Sequence, residues 1–326
     1  MIELQRCSDK EQWDDYILEN GGHPLQLWGW GQVKAGHGWI AQRFFGIDDN
    51  DKIVGAAQVL VRKLPTPLRS FAYIPRGPLV DTENTPEFLN NLAKLVKREY
   101  HSVALSIEPD EEDFEVPNGW MRSANKVLSA ETILLDLKKS ESDLLADMAK
   151  KTRQYIRKSD ADVIIRQAKN REDIETCLEL YEKTAKRAGF NTHSHQYYLD
   201  VFLQLQDHSP VYIAYEGDEA VAFLWLAISE KTAYELYGGM NERGQELRAN
   251  YALKWHVMKK IKEWGLERYD FGGLVAGGVS TFKQGWSSDV TLLVGTFDKP
   301  LSPFYPLWSK GLPLAKQSVQ KLRRKK

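Results

Sequence analysis

Cysteine is nearly absent from this chain. Its 326 residues include two, Cys7 and Cys177, too far apart to form a metal or redox spacing, so two reduced thiols are expected rather than a disulfide framework. No stretch reaches 18 apolar residues, and the opening MIELQRCSDKEQWDD has no apolar signal-peptide core. Neither a transmembrane helix nor a secretory leader is therefore expected, and a cytoplasmic location follows. There is no low-complexity tract and no long charged coiled-coil pair. The formal net charge is −1, so the chain as a whole is not a polyanion binder. The 7 histidines form no catalytic or metal pattern; His193 and His195 in NTHSHQ lie two apart on a polar stretch and read as a loop. What remains is an ordinary globular composition, 42% hydrophobic and 27% charged, long enough for two domains each with its own core.

What is present is one pattern, met twice about 165 residues apart. The first copy reads GIDDNDKIVGAAQVLVRK (46–63), FAYIPRGPLVD (71–81), a helical run over 85–99 and VALSIEP (103–109). The second reads YEGDEAVAFLWLAIS (215–229), AYELYGGM (233–240), a helical run over 250–264 and YDFGG (269–273). Asp51 aligns with Asp218, Val54 with Val221, Tyr73 with Tyr237, and Ile107 with Phe271 or its neighbour. Hairpin, strand, helix, strand is the order in which acyltransferases of the GNAT fold build their cleft. The expectation is an α/β (α+β) protein of two tandem GNAT-like domains, each a mixed sheet flanked by helices.

Periodicity supplies the remaining elements. Helices are predicted over 9–20 with Ser8 as N-cap, over 144–158 behind Ser140 and Ser142, over 173–188 and over 196–205. The segment 26–34, dense in Trp, Gly and Gln, reads as a loop or helix start. Strands are expected over 132–137 and, last, over 290–297. The domain boundary is placed near 140, giving domain 1 as 1–140 and domain 2 as 141–299, with a terminal helix over 300–326 packing back on domain 1. Two basic clusters stand out. MAKKTRQYIRK (148–158) holds Lys150, Lys151, Arg153, Arg157 and Lys158, and the tail KQSVQKLRRKK (316–326) holds six basic residues and no acid.

A CoA-dependent GNAT enzyme cradles pyrophosphate on backbone amides at a helix N-terminus, which needs small residues there. The equivalent segments are GQELRANYALKW (244–255) and PLVDTENTPEFL (78–89), and neither has the paired glycines. The amide cradle is degraded in both copies, and another acyl donor is expected.

Several segments resemble the FemABX peptidyltransferases: QLWGWGQVK (26–34), YIPRGPLVD (73–81), IEPD (107–110), KKTRQYIRKS (150–159), YEKTAKRAGF (181–190), YGGMNERGQELRANYALKW (237–255), YDFGG (269–273) and FKQGW (282–286). They keep the family's order and span nearly the whole chain. The lack of a coiled-coil arm resembles the shorter FemX type. The resemblance implies no cofactor and two partners: aminoacyl-tRNA as donor, and a peptidoglycan precursor as acceptor, either UDP-MurNAc-pentapeptide or its lipid-linked form. It also implies that Lys34 and Arg187 hold the precursor's diphosphate, that Phe282 and Lys283 flank the reacting centre, and that Glu108 stands where the family usually has an Asp.

The implied reaction is aminolysis of an ester, which asks for positioning, a deprotonated amine and charge stabilisation at the oxyanion. Lys283 would face that charge, Phe282 would stack on the terminal adenine, and Glu108 would take the proton as general base. Tyr237 and Tyr251 would line the cleft. Lys150, Lys151, Arg153 and Arg157 would meet tRNA phosphates, and the basic tail suits tRNA or a membrane surface. Each has a plainer reading: surface lysine, core aromatic, strand-end carboxylate, structural ion pair or solvated face. With Lys34 and Glu108 in copy one and Arg187, Phe282 and Lys283 in copy two, the repeat reads as two unequal halves of one site. Competing readings are an N-acyltransferase using acyl-CoA and a non-catalytic scaffold binding RNA or a nucleotide sugar.

Overall fold

The structure is a computed structural model that describes residues 1–159, 162–274 and 278–311, without the side chains of 278 and 279. The tail at 316–326 and much of the expected terminal helix lie outside the described residues. In chain order the first elements are β1 (Glu3–Arg6), α1 (Lys10–Glu19), α2 (Trp28–Gly36), β2 (Ile40–Ile47), β3 (Ile53–Lys63), β4 (Ser70–Pro75), β5 (Leu79–Val80), α3 (Thr85–Tyr100), β6 (Ser102–Glu108), β7 (Met121–Arg122) and β8 (Glu131–Thr132). They are followed by β9 (Leu134–Asp136), α4 (Glu141–Asp147), α5 (Lys150–Ser159), β10 (Ile164–Gln167), α6 (Arg171–Ala188), α7 (His195–Leu205), β11 (Val211–Glu216) and β12 (Glu219–Ile228). The last are β13 (Thr232–Met240), α8 (Glu242–Leu247), α9 (Ala249–Glu263), β14 (Arg268–Asp270), α10 (Gly278–Gln284), β15 (Thr291–Leu292) and β16 (Phe297–Pro300).

The chain divides into two compact units, Met1–Ala130 with the chain from Leu292, and Glu131–Thr291. The division falls ten residues before the expected boundary at 140, because β9 pairs with β14 and so belongs to the second sheet. The return falls before 300, because β16 pairs with β6 in the first sheet. Within the first unit the strand order is β1-β2-β3-β4-β6-β16-β7; within the second it is β10-β11-β12-β13-β14-β9. The shared plan is visible in both. Antiparallel strands lead to β4 or β13, a helix (α3 or α9) crosses over to a parallel neighbour (β6 or β14), and an antiparallel strand (β16 or β9) follows.

The ladders correct the internal alignment. Tyr73 pairs with Leu60 and with Ser106, while Tyr234 pairs with Ala227 and with Asp270. With Val54 matched to Val221 and Ile107 to Phe271, the counterpart of Tyr73 is Tyr234; Tyr237 lies further along β13, past its pairing with β14. The units also differ at this point. In the first, β4 stays paired with β6 to its last residue, Pro75 opposite Glu108, and Gly77 N–H donates to Glu108 O at 3.1 Å. In the second, pairing stops at Tyr234 and Asp270 while β13 runs on to Met240, so the two strands part in a fork.

Several local expectations change. Asp9, not Ser8, caps α1, accepting from Gln12 N–H at 3.1 Å. The segment at 26–34 is mostly helix, α2. Gln26 is the reason it sits where it does: its side chain accepts from Gln58 N–H on β3 at 2.9 Å and donates to Pro75 O at the end of β4. Gly31 is required by this docking, since a Cβ there would lie 2.2 Å from Gln58 Oε1 and 2.4 Å from Arg43 Nη2. The single helix expected over 144–158 is two, α4 and α5, broken at Met148, which is extended (ψ 151°). The strand expected over 132–137 is interrupted between β8 and β9, and that over 290–297 splits into β15 and β16. The final segment is helical over 305–311, and Trp308 packs on Phe71 of the first unit at 4.8 Å. Cys7 and Cys177 are free and buried.

Gly31→Ala should lower the stability of the first unit by about 1–3 kcal/mol, the usual cost of overpacking. Urea unfolding followed by tryptophan fluorescence measures it, and a wild-type midpoint would refute this docking of α2.

Candidate active site

The fork between β13 and β14 is shaped by a glycine. Gly272 has φ 74°, and a Cβ on it would sit 2.4 Å from Glu235 O, so only glycine lets the chain leave β14 this close to β13. Lys283 on α10 donates to the carbonyls of Phe271 and, at 2.7 Å, Gly273. Its ammonium thus caps the two carbonyls that flank Gly272. Phe282 meets Tyr251 of α9 edge-to-face at 5.0 Å and Trp286 at 6.1 Å. Phe282 and Lys283 are both half-buried.

The FKQGW segment also anchors the basic helix. Ala149 N–H donates to Gly285 O at 3.0 Å, and a Cβ on Gly285 would lie 2.6 Å from Thr152 Oγ1. Trp286 is fully buried and stacks on Tyr251 at 6.1 Å. Tyr155 of α5 packs edge-to-face on Tyr251 at 5.1 Å, and Arg248 lies 3.8 Å over the Tyr155 ring. A continuous aromatic path, Tyr155–Tyr251–Phe282, therefore joins α5 to the fork. On α5 the buried side is Thr152, Ile156 and Ser159, and Lys150, Lys151, Arg157 and Lys158 share the exposed side. Arg153 does not join them. Its Nη1 donates to the carbonyls of Leu145, Ala146 and Met148 at 3.1, 3.2 and 2.6 Å, closing the end of α4. The expectation that Arg153 meets phosphate gives way to a capping contact, and Lys158 takes its place on the basic face.

Sequence reasoning missed Lys254. On α9, it is buried in the fork, ion-paired with Glu235 and 4.5 Å over the Phe271 ring. Tyr269 also donates to Glu235, at 2.5 Å. Burial pushes Lys254 down to about 8 against the pull of Glu235, with Lys283 adding to the fall. A lysine inside the apolar run of NYALKWHVM was the available signal.

Tyr237 lies elsewhere on β13, in an aromatic group with Tyr198 (5.0 Å), Trp225 (5.6 Å) and Tyr181 (5.8 Å). Burial there holds its hydroxyl well above the ordinary tyrosine range. Arg187 is exposed at the end of α6. It donates to Met240 O at 3.2 and 3.1 Å, and the Gln245 amide oxygen, turned to face it, accepts at 2.7–3.0 Å. It lines a cavity of about 770 Å³ with Lys183, Lys186, Asn241 and Arg243. His195 Nε2 is 2.6 Å from Glu182 Oε1, and His193 stacks on Tyr197 at 4.0 Å.

In the first unit, Lys34 stands near the end of α2 with its ammonium 4.4 Å over the Trp30 ring. Burial, with Arg62 adding to the fall, lowers it to about 8. Arg76, buried, has Nε 3.9 Å from Asp110 Oδ1, which ties YIPRGP to IEPD. Glu108 is 1% exposed, and both its oxygens are occupied: Oε1 accepts from Val127 N–H (3.0 Å), Leu128 N–H (3.1 Å) and Thr296 Oγ1 (2.5 Å), and Oε2 from Tyr73. Three donors on one oxygen leave no open direction for an incoming proton, so this geometry does not carry the general-base expectation. Glu108 instead ties β4, β6 and the 127–128 segment together.

The amide cradle of a CoA site is filled in both units. After β13 the chain forms α8 instead of an open loop. The Asn241 side chain takes Gly244 N–H at 2.8 Å, and Gln245, Arg248 and Tyr251 N–H bond to Asn241, Gln245 and Arg248 carbonyls. After β4, Asn84 and Thr85 N–H both bond to Asp81 O, and Pro86 has no N–H to give.

Two family models match. The FemAB family covers residues 9–113, and the acetyltransferase (GNAT) domain covers 146–284. The FemAB match lies in the first unit and the GNAT match in the second. It is 23% identical over 396 residues to the lipid II:glycine glycyltransferase of Staphylococcus saprophyticus, spanning 93% of this chain and 94% of that protein. It is 23% identical over 423 residues to the enzyme of the same name from Staphylococcus aureus MRSA252, spanning 99% of each. An alignment of 423 positions against 326 residues means that this relative holds segments this chain lacks. In fold it resembles the crystal structure of FemX (TM-score 0.82, 20% identity, 94% of this chain and 99% of that one). It also resembles a tandem GNAT protein from clavulanic acid biosynthesis (TM-score 0.55, 12% identity, 93% and 99%). A transferase of two GNAT-like units is what the fold and the family matches show.

Glu108→Gln replaces an acceptor oxygen by a donor among groups that all donate. It should destabilise the protein by about 1–3 kcal/mol. A lowered thermal midpoint is the expected reading; unchanged stability with lost turnover would return Glu108 to the role of base.

Proposed function

We propose that this protein transfers an amino acid from aminoacyl-tRNA to an amine of the peptidoglycan stem peptide, building an interpeptide bridge. Support comes first from the continuous path between the exposed basic face of α5 and the Phe282–Lys283 pair. A helix bearing Lys150, Lys151, Arg157 and Lys158 suits the phosphates of an RNA acceptor stem, and the fork it leads to suits the RNA's reactive end. The full-length relatives named for glycyl transfer to lipid II agree with the acceptor class. The acceptor is UDP-MurNAc-pentapeptide or its lipid-linked form, and Lys34 and Arg187 are the candidates for its diphosphate. No helix of the described residues is long and apolar enough to cross a membrane, so contact with a lipid-linked acceptor would be peripheral.

In this reading the ester carbonyl lies at the fork. Lys283 Nζ faces the oxyanion that develops as the amine attacks, and Phe282 and Tyr251 stack on the terminal base. As the new C–N bond forms and the ester C–O bond breaks, the amine's proton passes to the departing 3′ oxygen, which leaves as the hydroxyl; the saturated Glu108 does not take that proton. The match of 146–284 to a GNAT domain favours a second reading, acyl transfer from acyl-CoA. The spent amides after β4 and β13 count against it.

Charged tRNA and UDP-MurNAc-pentapeptide, incubated with the protein, should give a product heavier by one amino-acid residue. Lys283→Met should lower kcat about 100-fold, as loss of one oxyanion donor does. CoA binding by calorimetry without any aminoacyl transfer would sink the reading. Lys150→Ala, Lys151→Ala, Arg157→Ala and Lys158→Ala should each reduce the salt dependence of tRNA affinity by about one in slope. Arg153→Ala should cost stability and leave that slope alone.

Lys34 gives a pH test. With its free value near 8, it is charged below that pH and loses charge above it. A bound diphosphate favours the charged form, so precursor binding should take up a proton near pH 8 and weaken as pH rises further. Calorimetry in buffers of different ionisation heat reads the uptake, and Lys34→Gln should abolish it. Uptake unchanged in Lys34→Gln would place the diphosphate elsewhere.

A further inference from the structure

Two ammonium groups bracket one residue in the fork. Lys254 lies 4.5 Å over the Phe271 ring, while Lys283 holds the Phe271 carbonyl. Lys254 is 5.3 Å from the Phe282 ring centroid as well. The charged and titratable groups around Lys254 are Glu235 on β13, Tyr269 on β14 and Lys283 on α10. Among the described residues, Glu235 is the carboxylate that pairs with Lys254, and its side chain is 11% exposed. Its backbone carbonyl touches Gly272, whose neighbours' carbonyls hold Lys283.

We propose that Lys254 is a positioning residue for the acyl-donor site: by occupying Glu235 it keeps Lys283 on the Phe271 and Gly273 carbonyls, facing the reacting centre. A carboxylate this buried needs a cation. With Lys254 charged, Glu235 is satisfied and Lys283 keeps its station. With Lys254 neutral or absent, Lys283, the other ammonium close enough to act on Lys254, swings onto the carboxylate and away from the ester. Lys254 never touches the donor; it acts through Lys283. The buried pair therefore makes the orientation of the catalytic lysine depend on the charge of its neighbour.

The inference rests on the aminoacyl-transfer reading for its kinetic arm and stands apart from it in its spectroscopic arm. Lys254→Met should cut kcat at least tenfold with the KM for charged tRNA within about threefold, because Glu235 captures Lys283. Lys254→Met/Glu235→Gln removes both the partner and the trap, and should recover most of that loss. Wild-type kcat should fall as pH passes through about 8, where Lys254 loses its proton, and the double variant should lack that limb. In protein labelled at lysine Cε, the Lys283 signal, assigned by its loss in Lys283→Arg, should shift in Lys254→Met and return in the double variant. A double variant as slow as Lys254→Met, or a Lys283 signal unmoved by Lys254→Met, overturns the inference. If wild type transfers no amino acid, the functional reading fails while the Lys283 signal still decides this one.

Discussion

The constraint on which the second unit depends is the place where β13 and β14 separate. Parallel pairing between them ends at Tyr234 and Asp270, and Gly272 then turns away at positive φ within touching distance of the Glu235 carbonyl. Beyond that point the carbonyls of Phe271 and Gly273 are the seat of Lys283. The same separation opens the space into which Lys254 and Glu235 insert their charges. The first unit keeps the plan without the fork, and there Glu108 and its donors close the equivalent place. Divergence of the repeat is thus a difference in how far one pair of strands stays zipped.

Much of this was legible in the chain. Hairpin, strand, helix, strand appears twice in the hydrophobic pattern because both sheets are buried on a helix-covered face, which forces period 2 in the strands and period 3.6 in the crossovers. FKQGW and KKTRQYIRKS read as separate motifs, and the structure shows one contact behind both, Gly285 against Thr152. Two things were not legible. Arg153 looks like its basic neighbours in sequence, yet it faces the end of α4, because the break at Met148 brings the carbonyls of Leu145, Ala146 and Met148 within its reach. Lys254 sits in an apolar run where its charge reads as a surface break in the pattern. Its partner, Glu235, is distant in sequence and comes from another element, and no local periodicity reports such a pairing.

Register was the other blind spot. Aligning two strands by tyrosines puts Tyr73 with Tyr237, a slip of three residues from the pairing that the ladders give. A bulge at Trp225 and Leu226 leaves Tyr234 and Tyr237 opposite Ala227 and Trp225, on one face of the sheet, so the slip changes the tyrosine's partners rather than its face. Tyr73 reaches Glu108, whereas Tyr237 reaches into the aromatic group of Tyr181 and Tyr198. The two tyrosines share a residue type and not a role.

The filled amide cradles bear on how a donor is held. Backbone amides at a helix start bind phosphate at fixed positions, with a partial charge that does not move. Here those amides are spent on α8 and on Asn241, so a polyanionic donor must be held by side chains. Long lysine and arginine side chains supply charge but little register, because they adapt to many phosphate positions and are screened by salt. Orientation at the reacting atom must then come from elsewhere, and the rigid groups at the proposed site are Tyr251, stacked on the buried Trp286, Phe282, edge-on to both, and the carbonyl-held Lys283. In the aminoacyl-tRNA reading proposed above, affinity from α5 and geometry from the fork are separate functions joined through Tyr155. A large, flexible, highly charged donor with one reactive end requires that separation, whereas a compact donor gripped at its pyrophosphate does not.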